Sequence, residues 1–408
     1  KNAGLFAKIQ QNLEGNFPFT QGVNMKFMHL GDLHLGKSLQ DFDLSEDQEY
    51  MLRQLVQICK EKEVDAVLIA GDVYDKSIPS EKATILLDGF LKELALAGIS
   101  VFLISGNHDS DDRLNFGSSL FRVNKVYIRS VFEGNLALNT VEDEYGKIHI
   151  YSLPYVKKSQ VSHFYPEKNI SNYEEAVRTV IENAKVNTSE RNIILSHQFV
   201  AGKSDPDLSG SESLGVQQVG TVEKIGYDVY DDFDYAALGH IHGPQQVGRK
   251  EVRYSGSPLK YSLSEADNQK SVPIVTMKEK GNTEIELVPL QPLRDLRHIR
   301  GELKELLEKE NVKDPQDFIY VTLTDEVQEQ NAMSIFQQTY PNTVKIDYDN
   351  SHTRKIEQVD LAQIVENKSF DELIRDFYKQ MLDCEISEEE MDMMLEAGRE
   401  AGVVHEAD

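Results

Sequence analysis

Five short motifs carry side chains able to bind a metal ion, and each follows directly on a run of apolar residues. They are Gly31-Asp32-Leu33-His34, Gly71-Asp72-Val73-Tyr74-Asp75, Gly106-Asn107-His108-Asp109, Ser196-His197-Gln198 and Gly239-His240-Ile241-His242. Together they supply carboxylates, an amide oxygen and several imidazoles. That mixture suits Mn²⁺, iron or Zn²⁺ better than Ca²⁺, which prefers shells of oxygen. Two such ions roughly 3.5–4 Å apart grip a phosphate group, lower the pKa of a bridging water and stabilise an in-line displacement. A carboxylate reaching both ions is then required, and Asp72 is the natural candidate. Asp32 and His34 lie two residues apart, as do His240 and His242. In extended backbone such residues project to one side, so each pair is expected to clamp one ion. Glycines ahead of them allow a sharp turn and close approach to a ligand.

The remaining histidines, His29, His149, His163, His298, His352 and His405, lack such company and read as structural or solvent-facing. Asp41, Asp43, Glu46 and Asp47 form an acidic loop and helix start, where carboxylates suit the helix dipole.

The elements that must position these groups alternate between strand and helix. Apolar runs at 26–30, 64–70 and 99–105 read as strands. Between the first two, Ser45 and Gln48 have the spacing of a capping box ahead of a helix, which buries Met51, Leu52, Leu55, Val56, Ile58 and Cys59. A second helix follows Pro79-Ser80. Further strands are expected at 147–153, 192–196, 235–238, 252–255 and 272–278, with 200–220 a long surface loop. Near Pro289–Pro292 the pattern restarts as a small α/β unit, with strands at 295–300, 317–323 and 343–348 and helices at 301–310 and 330–339. Two helices, 370–382 and 387–401, close the chain. Residues 1–24 precede the first methionine and read as a leader or non-native extension. The predicted division is therefore 1–24, a main domain 25–290, a small domain 291–366 and a helical segment 367–408.

The chain has 408 residues, with 40% hydrophobic and 27% charged, the balance of a globular protein of two or three domains. Cys59 and Cys384 cannot form a disulfide framework, and a reducing cytoplasm is the default location. No run approaches the roughly 18 apolar residues of a membrane span. The net charge of −26 argues at first sight against a nucleic-acid partner. However, residues 370–408 hold 13 acids and 3 bases, so this tail alone contributes −10.

At the five motifs the sequence resembles the calcineurin-like metallophosphoesterases, whose signature runs Asp-x-His, Gly-Asp, Gly-Asn-His-Asp/Glu, His and Gly-His-x-His. Within that superfamily it is most similar to the SbcD branch, through His29 to Lys37, Gly71 to Asp75, Ile104 to Asp109 and Tyr254-Ser255-Gly256-Ser257-Pro258. The resemblance covers about 25–285 and is looser beyond. It implies an α/β fold: a β-sandwich flanked by helices, with a small α/β capping domain and a C-terminal helix pair. It also implies two divalent ions, most often Mn²⁺. Asp32, His34, Asp72 and His242 would hold one, and Asp72, Asn107, His197 and His240 the other. His108 would stay off the metals and stabilise or protonate the departing oxygen, with Asp109 a candidate to orient it.

The implied activity is cleavage of DNA phosphodiesters: exonuclease on duplex ends, endonuclease on single strands and hairpins. The implied partners are DNA, a second copy of the chain, and an SbcC-type coiled-coil ATPase gripped by the terminal helices, with the complex on the nucleoid. Asp75 departs from archaeal and eukaryotic relatives, which carry histidine there, and matches bacterial members. A phosphatase of small esters or phosphoproteins is the alternative. Against it, Lys76-Ser77 follow the second motif where phosphoprotein phosphatases carry Arg-Gly. The residual acidity is expected to make DNA binding depend on the ATPase.

Overall fold

The computed structural model describes residues 24–210, 224–351, 353, 370–379 and 386–400. Cys384 and nearly all of the predicted leader lie outside them. The chain divides into two compact units, Lys1–Leu296 and Arg297–Asp408.

The first unit is built on two six-stranded sheets. Its strands are β1 (Met25–Leu30), β2 (Ala66–Ala70), β3 (Ser100–Ile104), β4 (Val126–Arg129), β5 (Ala137–Asp143), β6 (Gly146–Leu153), β7 (Arg191–Ser196), β8 (Tyr235–Leu238), β9 (Gln245–Val247), β10 (Arg249–Tyr254), β11 (Ser271–Met277) and β12 (Thr283–Pro289). One sheet has the order β12-β11-β1-β2-β3-β4 and the other β9-β10-β8-β7-β6-β5. In the first, β1 to β4 run parallel, and β11 pairs antiparallel with both β1 and β12. In the second, β6, β7, β8 and β10 run parallel.

The inner faces meet in one core that includes Phe27, Leu68, Phe102, Ile150, Leu195, Tyr235 and Val275. Helices α1 (Ser45–Glu61) and α2 (Glu81–Leu96) pack on each other, and Cys59 of α1 touches Met28 beneath it, with Sγ to Sδ 3.5 Å. Burial raises the Cys59 thiol to about 12, so it is an inert core group. Helices α3 (Lys158–Phe164) and α4 (Tyr173–Ala184) cover the outer face of the second sheet, burying Val161, Val177 and Val180. Strands covered on both faces need apolar residues at every position, which is why Ala66–Ala70 is a fully buried run.

Several expectations shift. Strands β4, β5, β9 and β12 and helices α3 and α4 were not predicted. The capping box at Ser45 is not formed: Leu44 is the cap residue, without a side-chain cap bond. Gln48 instead binds the loop after β1, donating to the His34 carbonyl (2.8 Å) and accepting from Gly36 N–H (2.9 Å). Residues 211–223 of the predicted long loop lie outside the described residues.

The second unit holds a three-stranded sheet, β13 (Leu296–Gly301), β14 (Phe318–Leu323) and β15 (Thr343–Tyr348), with β14 central. Helix α5 (Ala332–Thr339) packs on it through Phe336, against Ile319, Val321 and Leu323. The helix expected at 301–310 is a single turn, Leu303–Leu306. Beyond Leu307 the chain turns polar and offers no apolar stripe to continue it. Two more helices follow, α6 (Phe370–Phe377) and α7 (Glu388–Glu400), packed on each other. Ser387 and Glu390 cap α7 reciprocally: Ser387 N–H donates to Glu390 Oε2 (3.0 Å) and Glu390 N–H to Ser387 Oγ (3.3 Å). Among the described residues no helix is long and apolar enough to cross a membrane.

Candidate metal centre

The five motifs leave the carboxyl ends of β1, β2, β3, β7 and β8, where parallel strands can aim side chains at one point. Hydrogen bonds tie the strand-end loops together: Asp32 N–H to the Gly71 carbonyl (3.1 Å), His34 N–H to the Asp72 carbonyl (2.9 Å) and Gly239 N–H to the Ser196 carbonyl (3.1 Å). Asp32, His34, Asp72 and His240 adopt positive φ angles of 54°, 43°, 47° and 101°. Non-glycine residues hold such angles at a cost of about 1–3 kcal/mol each, and the surrounding hydrogen bonds must hold them there.

These angles correct the expectation that each i, i+2 pair clamps one ion from extended backbone. The chain is kinked there, and the second pair separates. His242 Nε2 faces His34 Nε2 at 3.0 Å, whereas His240 Nδ1 faces Asn107 Oδ1 at 3.0 Å.

Two groups of ligand atoms share Asp32. Asp32, His34 and His242 converge within 4.8 Å, as do Asp32, Asp72 and His197. Asp72 reaches toward both, with Oδ2 3.7 Å from His34 Nε2 and 3.4 Å from His197 Nε2. His197 Nδ1 donates to the Ala70 carbonyl (2.7 Å), which leaves its Nε2 to face Asn107 Oδ1 (3.1 Å). Asp32 accepts His240 N–H on both oxygens, at 2.9 and 3.1 Å. Ring nitrogens and side-chain oxygens thus converge on common places, as the ligand atoms around a cation do. The mixed donor set fits divalent transition-metal ions.

The electrostatics agree. Burial, helped by Asp72, raises Asp32 to about 6 against the pull of His197 and His242. Burial works the same way on Asp72, but His197, His34 and His108 overcome it and hold its carboxyl well below the usual range. Burial keeps His34 well below an ordinary imidazole, and burial with His197 lowers His240 to about 3, so both present unprotonated nitrogens near neutrality. His197 is the exception. Burial lowers it, but the Asp72 carboxylate more than compensates and brings it to about 9. A proton there occupies the place a cation would take.

His108 stands at the rim, its Nε2 4.0 Å from Asp72 Oδ2, with its backbone N–H held by Asp72 Oδ1 (2.9 Å). Its Nδ1 donates to the Asp75 carbonyl (2.9 Å). This corrects the expectation that Asp109 orients His108. Asp109 accepts three backbone N–H groups instead, from Val73 (3.1 Å), Tyr74 (2.9 Å) and Gly106 (2.9 Å), and so ties the second motif to the third. Asp75 binds Lys37 Nζ (2.8 Å) and lies 3.7 Å from His34 Nδ1; with His34 and His108 it makes a further cluster of ligand atoms within 4.8 Å.

Residues outside the motifs also belong here. Tyr261 donates to the Leu33 carbonyl (2.5 Å) and stands edge-on to His34 and His242, with centroids 5.7 and 6.2 Å away. Glu265 and Lys270 form a buried pair behind His242. No ligand-type motif flags them; their only sequence signal is an acid and a base in the stretch after Gly256-Ser257-Pro258.

Comparison with known proteins agrees with this architecture. Residues 25–244 match the family model for calcineurin-like phosphoesterases, and 292–381 match the model described as type 5 capsule protein repressor C-terminal domain. The chain is 32% identical over 380 residues to the D subunit of the nuclease SbcCD of Staphylococcus epidermidis, spanning 90% of this chain and 96% of that one. Among solved structures, a dimetal phosphatase from Danio rerio aligns with 65% of this chain and 99% of its own, at 12% identity and a TM-score of 0.36. The chain belongs to the calcineurin-like phosphoesterases, in the family of SbcCD nuclease D subunits.

Proposed function

We propose that the protein is a metal-dependent nuclease that hydrolyses phosphodiester bonds of DNA, as an exonuclease on duplex ends and an endonuclease on single strands and hairpins. The observation that carries this reading is the Asp72 carboxylate, which faces both ligand groups with the rim histidine His108 beside it. In this reading Asp32, His34, Asp72 and His242 would hold one divalent ion, and Asp72, Asn107, His197 and His240 the other, with Mn²⁺ the metal that suits this donor set. When bound, such a pair of ions would supply charge to orient the phosphate and to lower the pKa of an attacking water.

The chain's own groups do the rest. His108 Nδ1–H is committed to the Asp75 carbonyl, so Nε2 is the position that exchanges a proton. His108 is placed to pass a proton from Nε2 to the departing oxygen. Asp109 keeps the loop beneath it from moving, by its three backbone bonds. The helices α6 and α7 dock an SbcC-type coiled-coil ATPase, with two copies of this chain in the complex.

The test is a digest of hairpin-ended duplex DNA with Mn²⁺, with and without such an ATPase and ATP. Cleavage that stops on chelation is expected. His108→Gln should slow it by about 10²–10⁴-fold while Mn²⁺ stays bound. Hydrolysis of nucleotide esters with all DNA left intact would overturn the reading in favour of a small-ester phosphatase.

A further inference from the structure

We propose that Glu265 and Lys270 are positioning residues for the metal centre, which aim His242 from behind; the inference rests on the two-ion reading above. Glu265 is fully buried and Lys270 is 5% exposed. Lys270 Nζ lies 2.5 Å from Glu265 Oε2 and donates as well to Ser257 Oγ (2.9 Å) and the His242 carbonyl (2.9 Å). Glu265 Oε1 accepts Tyr261 N–H (3.2 Å) and lies 3.9 Å from His242 Nδ1. Ser257 N–H gives the His242 carbonyl a second donor (3.1 Å).

The pair therefore meets His242 on two sides, by a hydrogen bond to its carbonyl and by a carboxylate 3.9 Å from its ring. Lys270 fixes the backbone, and Glu265 stands behind the ring nitrogen that points away from the ligand cluster. The opposite nitrogen, Nε2, is the one that meets His34. A carboxylate behind a metal-ligating imidazole selects the tautomer, restrains the ring and strengthens the ligand. Lys270 cancels the added negative charge, so the support leaves the charge balance of the cluster unchanged.

Burying an ion pair costs several kcal/mol per ion before attraction is counted, and apolar residues of the same size often pack as well or better. A pair retained at such a place needs a reason. The contrast is another buried pair, Arg191 with Asp143, each 2% exposed at the side chain. It binds Met25 N–H and the Gly146 and Lys278 carbonyls, none of which belongs to the site. That pair holds strand ends together; the Glu265–Lys270 pair holds a ligand.

The experiment titrates Mn²⁺ into the metal-stripped full chain by calorimetry and measures the Mn²⁺ dependence of DNA cleavage. Glu265→Gln is expected to weaken one of two Mn²⁺ sites by about 10–100-fold and leave the other alone. Maximal cleavage at saturating Mn²⁺ should return to within a few-fold of wild type. Because a single change can unbalance the buried pair, the double variant Glu265→Gln with Lys270→Met is the second arm. It should fold with both charges gone, yet keep the weakened site. Arg191→Met is the control for a structural pair and should leave both Mn²⁺ affinities unchanged. Wild-type affinity at both sites in either Glu265 variant overturns the proposal, and so does failure of both variants to fold, which would make the pair a staple of the fold. Absence of Mn²⁺ binding in wild type would instead overturn the two-ion reading itself.

Discussion

The same substitution, glycine to alanine, should have opposite effects at two positions. Gly239 follows β8 at the meeting point of the sheets. A Cβ there would lie 1.9 Å from the Ala70 carbonyl oxygen and 2.8 Å from His197 Nδ1. It would fall between the two partners of the 2.7 Å bond that sets the His197 tautomer. Forcing a methyl group into a packed interior costs about 1–3 kcal/mol, and a lost hydrogen bond adds about 1. Gly239→Ala should therefore destabilise the chain by about 2–4 kcal/mol and, by releasing His197, weaken Mn²⁺ binding by about 10–100-fold. Gly89, in the middle of α2, has nothing within 4 Å of the same built atom. There alanine removes only backbone freedom, and Gly89→Ala should stabilise by about 0.5–1 kcal/mol. Urea unfolding of the two variants and calorimetric Mn²⁺ titration read both effects. Loss of under about 1 kcal/mol in Gly239→Ala, with wild-type Mn²⁺ affinity, would refute the steric reasoning.

Other expectations concern stability and assembly. Burial, with the charge of Arg253 nearby, lowers His29 from 6.5 to about 3. Its contribution to stability is complete above 6.5 and is lost as pH falls toward 3, up to on the order of 5 kcal/mol. His29→Asn should flatten the acid limb of a stability–pH curve, and an unchanged limb would contradict the assignment. Arg191→Met leaves Asp143 buried without its cation, so a loss of about 3–5 kcal/mol in urea unfolding is expected; a change under about 1 kcal/mol would show that the site is hydrated. Removing 369–408 should abolish co-purification with an SbcC-type ATPase while sparing Mn²⁺-dependent cleavage of single strands, and unaltered co-purification would exclude the helices as the dock.

The strand-end motifs were legible because strands buried on both faces print as unbroken apolar runs, so Asp72 after Ala66–Ala70 stands out against its background. The companions were not. Strand β12 alternates exposed and half-buried residues at a sheet edge and leaves little hydrophobic pattern. Gln48 sat three residues after a serine and mimicked a cap, although its amide serves the loop around His34. Glu265 and Lys270 come from a polar stretch, and only the fold brings them behind His242. The separation of His240 from His242 depends on a backbone angle of 101°, which no spacing rule encodes. Asp109 was legible as important, but its partners were not, since they are backbone groups.

Asp72 tests the account most directly, because a single carboxylate there is held to serve two ions. Native mass spectrometry of the full chain equilibrated with Mn²⁺ counts the ions. Two per wild-type chain, and at most one in a folded Asp72→Ala variant, is the result predicted. One ion in wild type, or two retained in the variant, would contradict a centre organised around Asp72.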